Sequence, residues 1–84
     1  MNLYRISQTE NDDYDTWDSA VVCAPDEQTA RVMNPENGQP MTAELWACSW
    51  HGWCNSPDAV KVELIGVAID GTPAGVICAS FNAG

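Results

Sequence analysis

The stretch TWDSAVVCAPDEQTARVMNP, residues 16–35, changes its periodicity halfway along, and the fold follows from that change. Its first part, TWDSAVVCA (16–24), is rich in residues that favour a pleated, half-buried strand, and it stops at Pro25. In the second part, PDEQTARVMNP, Pro25 stands at a natural first helical position. Asp26 and Glu27 oppose the positive end of a helix dipole, and Asn34-Pro35 ends the run. A strand followed directly by a short helix over about 26–33 is predicted, with Ala30 and Met33, three residues apart, turned toward the sheet.

Upstream, NLYRISQ (2–8) places Tyr4 and Ile6 on one face at period two, and the polar TENDDYD between this strand and the next suits a hairpin loop. Downstream, NPENGQP (34–40) is turn chemistry throughout. Thr42 can then cap a second helix that ends at Gly52, a residue free to adopt the left-handed conformation of helix termini. Residues 60–69, VKVELIGVAI, alternate Val60, Val62 and Leu64 against Lys61 and Glu63 until Gly66 interrupts them, which predicts a strand with a bulge. The turn DGTPAG leads into GVICASF (75–81), with Val76 and Cys78 on one face and Ile77, Ala79 and Phe81 on the other. Both faces are apolar, so this strand is expected to be covered on both sides and to close a hairpin with its predecessor. The expectation is one α+β domain over 1–84: an antiparallel sheet of about four strands in the order ββα-(α)-ββ, covered by one or two short helices.

A chain of 84 residues has room for one core, burying roughly 60–65% of its unfolded surface. Twelve carboxylates against three basic residues, Arg5, Arg31 and Lys61, give a formal charge of −9. Such a charge argues against direct binding of nucleic acid or of an anionic membrane surface, and suits a basic partner or simple solubility. The N-terminus lacks the charged-then-apolar profile of a signal peptide, and no apolar run approaches the roughly 18 residues of a membrane helix. A cytosolic protein with reduced thiols at Cys23, Cys48, Cys54 and Cys78 is expected.

Two segments could carry function. WACSWHGWC (46–54) gathers three tryptophans, two cysteines and the single histidine. One reading makes it the second lid of the core, and another makes Trp50 or Trp53 an exposed anchor for a partner. A third takes Cys48, His51 and Cys54 as part of a zinc site, although the fourth ligand is missing from the pattern; Cys23, Cys78 and Asp58 are the candidates. No cofactor is assigned. Nothing marks a cleft or an orienting group for a Cys–His nucleophile, so the chain reads as non-enzymatic.

The second segment is the acidic run from Glu10 through Asp12, Asp13 and Asp15 to Asp18. It lacks the glycine and glutamate of an EF-hand calcium loop. Carboxylates at alternate positions of an extended chain lie roughly 6.5–7 Å apart, comparable with phosphates along a strand, so the run could occupy a basic groove in place of nucleic acid. A solvated hairpin tip is the plain alternative.

The ends of the chain, YRISQ…NDDYDTWDSAVV (4–22) and VKVELIGVA…GVICASFNAG (60–84), resemble those of a family of small bacteriophage and prophage proteins. The resemblance covers a little over half of the chain and leaves out residues 34–56. It implies a phage-encoded protein acting inside an infected bacterium and assigns no functional residue, the terminal SFNAG included. Together with the charge, it leads to the expectation of an accessory protein that binds a host protein with a basic surface in the host cytoplasm, as an inhibitor of a nucleic-acid-handling or defence enzyme. Asp12, Asp13, Asp15 and Asp18 would steer the contact and Trp50 or Trp53 would anchor it. A zinc-organised module and a phage structural protein are the alternatives.

Overall fold

The computed structural model describes residues 1–11, 15–47 and 52–82. Four strands, β1 (Asn2–Ser7), β2 (Thr16–Ala24), β3 (Lys61–Val67) and β4 (Gly75–Asn82), form one antiparallel sheet in the order β3-β1-β2-β4. Among the described residues, two short helices, α1 (Glu27–Arg31) and α2 (Ala43–Ala47), and a 3₁₀ turn, Pro57–Ala59, complete the α+β architecture.

The β1–β2 pairing is regular from Asn2↔Ala24 to Ser7↔Ser19, as the period-two pattern requires, and it puts Tyr4, Ile6, Ala20 and Val22 together on the covered face. Pro25 stands just outside α1 rather than at its first position. Asp26 is the N-cap, its carboxylate accepting the Thr29 N–H at 2.8 Å, and this bond lowers the Asp26 pKa. Ala30 and Met33 face the sheet and are buried, as their spacing predicts. The Arg31 guanidinium fastens the helix to the far edge, donating to the Val60 carbonyl at 2.6 Å and to that of Pro57 at 3.3 Å. The Asn34–Pro40 turn closes on itself through Gly38 N–H to Asn34 O and Asn34 N–H to Gln39 O, both 2.8 Å. At φ +76° Gly38 approaches Gly75 so closely that a Cβ would lie 3.1 Å from the Gly75 Cα. Thr42 caps α2 as expected, its Oγ1 accepting the Leu45 N–H.

The last two strands do not form a hairpin. β3 and β4 occupy opposite edges of the sheet, and residues 68–74 run beneath the ends of β1 and β2 to join them. Three interstrand spacings amount to about 14 Å, well within the reach of seven extended residues. Ala68 N–H donates to Met1 O on the way, and Thr72 O accepts the Cys23 thiol, whose side chain is buried under the crossing. The outer strands take the two free sides of the central β1–β2 pair. β3 pairs with β1, and β4 pairs with β2.

β4 is therefore not covered on both sides: it is exposed from Ile77 onward. Its alternation is also broken. Val76 pairs with Val22 and Cys78 with Val21, leaving Ile77 as an extra residue in a bulge. Val76 thus packs on the core while Cys78 lies on the opposite face, instead of the two sharing one. The bulge predicted in β3 is present at Ile65, between Leu64↔Tyr4 and Gly66↔Leu3.

Candidate partner surface at the acidic end of the sheet

The hairpin end of β1–β2 is fixed by a buried glutamine. Gln8, 5% exposed, accepts the Asn11 N–H at 2.7 Å and donates to the carbonyls of Asn11 (2.7 Å) and Trp17 (2.9 Å), so its amide replaces ladder bonds where the strands separate. Asn11 donates onward to the Trp53 carbonyl at 3.2 Å, Asn55 N–H donates to the Glu10 carboxylate at 2.8 Å, and Trp17 N–H donates to Gly52 O at 2.8 Å. The acidic hairpin and the 52–55 segment, two separate candidates in the sequence, are one structural unit.

Asp15 and Asp18 are exposed at this end, and each departs from regular strand geometry. Asp15 precedes β2 with φ 60°, in the left-handed region, and its N–H bonds Asn82 O. Asp18 is the extra residue of a bulge between Trp17↔Phe81 and Ser19↔Ser80. A regular phosphate-like row of carboxylates therefore does not extend over 15–18, because the backbone turns at both acidic positions. Asp12 and Asp13 lie outside the described residues.

The charge at this end is uncompensated. Arg5 and Lys61 both lie against Glu63, at 3.4 and 3.6 Å, and Arg31 lies against Glu27 at 3.7 Å. All three basic side chains are thus engaged by two carboxylates, Glu63 and Glu27, although Lys61 itself stands beside Ser7 at the hairpin end of the sheet. Among the described residues, Glu10, Asp15 and Asp18 have no cationic partner.

The tryptophan segment divides in two. Trp53 is 1% exposed and Cys54 is fully buried, and both belong to the core cluster with Tyr4, Ile6, Val22, Met33 and Met41. The anchor role proposed for Trp53 is accordingly corrected: its indole fills the space between sheet and helices and presents no surface to a partner. Trp46 and Trp17 are half-buried against the same cluster, and Trp17 also packs on Phe81 with ring centroids 4.6 Å apart. Gly52, at φ +76°, has the left-handed backbone expected of it, and it is needed for a second reason. A Cβ there would lie 2.8 Å from Asp15 O and 2.9 Å from the Trp17 ring. The helix expected to continue to Gly52 is described only to Ala47; Cys48, Trp50 and His51 lie outside the described residues.

Cys54 is the described member of the suggested zinc set. Its thiol donates to the Ser56 carbonyl at 3.4 Å, and burial pushes it up to about 11, with the Glu10 carboxylate adding to the rise. A protonated, enclosed thiol of this kind is inert as a nucleophile at neutral pH. Among the described residues no group of three or more His, Cys, Asp and Glu gathers at metal-binding distance.

One feature was not foreseen from sequence. The face of the sheet opposite the helices is open and carries two cross-strand rows, Glu63–Arg5–Val21–Cys78 and Lys61–Ser7–Ser19–Ser80. Arg5, Ser19, Val21, Cys78 and Ser80 line a shallow depression there. The alternate polar positions of β1 and β3 carry this signal in the sequence, and the expectation of a doubly covered β4 concealed it. No helix among the described residues is long and apolar enough to cross a membrane. No protein-family model matches the chain, and no curated protein or solved structure shows significant similarity to it.

Proposed function

We propose that this chain is a small, non-enzymatic accessory protein of bacteriophage origin that binds a host protein bearing a basic, nucleic-acid-handling surface in the cytoplasm of the infected bacterium. The observation that carries this reading is the separation of charge. Every basic side chain is paired with Glu63 or Glu27, while Glu10, Asp15 and Asp18 stand exposed at one end of the sheet without a cationic partner, with Asp12 and Asp13 in the same connection by sequence. A field of one sign raises the rate of encounter with a cationic groove, and carboxylates seated there take the place of the groove's counterions. The hydrogen bonds of Gln8 and Asn11 hold the backbone beside the acidic end in place, so less ordering remains to be done on binding.

The acidic residues supply charge rather than a replica of phosphate spacing, which favours a partner chosen by field and shape over one that reads a regular backbone. The test is capture from host lysate with the wild type and with a variant carrying Asp→Asn at 12, 13, 15 and 18, repeated at low and high ionic strength. The reading expects a basic nucleic-acid enzyme retained by the wild type alone and released by salt. Equal capture by both proteins, or capture indifferent to salt, overturns it.

A further inference from the structure

At the β4 edge the sequence pattern and the fold disagree, and the disagreement points to a missing strand. The β4 residues are patterned for cover on both sides, yet Ile77 is 51% and Phe81 46% exposed, and among the described residues no strand lies beyond it. Edge strands are ordinarily protected by charged side chains, proline or bulges. β3 has such protection in Lys61 and Glu63, both ion-paired, and in its bulge at Ile65. β4 has no charged residue from Gly71 to Asn82. The Asn34–Pro40 turn reaches its start at Gly75 and Val76, and the bulge bends it at Ile77. From Cys78 to Asn82 it then runs without an inserted residue of its own.

We infer that β4 pairs with β4 of a second copy, antiparallel across a two-fold axis, to make one continuous eight-stranded sheet. The charge distribution selects this occupant. Copies of a chain of formal charge −9 repel where carboxylates face one another, and β4, uncharged from Gly71 to Asn82, is an edge that offers none. It also selects the direction. Asn82 lies beside Asp15, whose N–H it accepts. Parallel pairing would set the two acidic ends side by side at a strand spacing of about 5 Å. Antiparallel pairing centred on Ser80 separates the two Asn82 positions by about 13 Å, beyond the screening length of about 8 Å at physiological salt. The symmetry is self-limiting, because a two-fold contact uses the same patch on both subunits, whereas β4 against β3 of the next copy would propagate as an open fibre. The dimer does not rest on the host-protein reading and is tested without any partner.

The experiment is the molar mass of the full chain by light scattering across a loading series at physiological salt. It compares the wild type with Ser80→Lys on the β4 edge and Val67→Lys on the β3 edge, with circular dichroism to establish folding. The wild type and Val67→Lys should reach twice the monomer mass, while folded Ser80→Lys stays at the monomer mass. Should Ser80→Lys fail to fold, Ala79→Lys on the same strand replaces it. A wild type that remains monomeric at the highest loading overturns the inference. So does dissociation by Val67→Lys but not by the β4 variant, or mass that grows without closing at two.

Discussion

Residues 52–54 and residues 77–81 look alike in the sequence. Both are small, apolar stretches with a cysteine and an aromatic side chain, and the chain buries the first and exposes the second. Trp53 and Cys54 are enclosed by the sheet and the helices, whereas Ile77, Cys78 and Phe81 stand on an edge. What separates them is the number of elements available rather than their own apolarity. In an 84-residue chain the two short helices among the described residues cover one face of the four-stranded sheet. The 52–54 segment sits on that face, tied down through Asn11, Glu10 and Trp17, and no other described element covers the far side of β4.

The contrast can be broken most sharply at Trp53. Trp53→Ala removes one of the largest fully buried side chains and should cost about 3–5 kcal/mol, a large part of the stability of about 5–15 kcal/mol typical of a domain. Urea denaturation measures it, and a loss below about 1 kcal/mol would mean that the indole is not the core plug described here. Gly52→Ala comes next. A left-handed non-glycine residue costs about 1–3 kcal/mol, and the added methyl would meet Asp15 O and the Trp17 ring as well, so the loss should reach at least that range in the same measurement.

The two cysteines sharpen the comparison chemically. In the native protein Cys78 should react with a thiol reagent at neutral pH while Cys54 does not, as mass mapping of the labelled chain would show. Cys54 also gives a pH signature. The folded state keeps its proton up to about 11, whereas an unfolded thiol releases it near 9.0, so the unfolded state binds fewer protons between these values. This contribution to stability is complete below about 9 and is lost as the pH rises through that window. A Cys54→Val variant should lack this component of the alkaline decline in melting temperature. The smallest effect belongs to the edge: in the monomer, Ser80→Lys should change unfolding free energy by no more than about 0.5 kcal/mol, since its side chain is exposed.

Local elements were legible in the sequence where local chemistry decides them. Tyr4 and Ile6 at period two, Ala30 and Met33 on one side of a short helix, Thr42 as a cap, the bulge beside Gly66 and the left-handed Gly52 all appear as the residues dictate. The topology was not legible. DGTPAG has the composition of a hairpin turn, yet the 68–74 connection crosses under two strands, because strand order depends on which partner is already taken and no local pattern records that. The faces of β4 were misread for a related reason, since Ile77 carries no glycine or other bulge signal and the shift arises from pairing with β2. At the candidate site, the exposure of Asp15 and Asp18 follows from composition. The burial of Trp53 beneath the same hairpin depended on Gln8, Asn11 and Asn55, ordinary polar residues whose partners lie up to 45 positions away.

The most direct measurement is amide hydrogen exchange of the wild-type chain at several protein concentrations. If β4 is an edge awaiting its own copy, exchange within Cys78–Asn82 slows as concentration rises, while Lys61–Val67 on the opposite edge is unaffected. Exchange in β4 that stays independent of concentration, or protection that appears on β3 instead, would contradict the account.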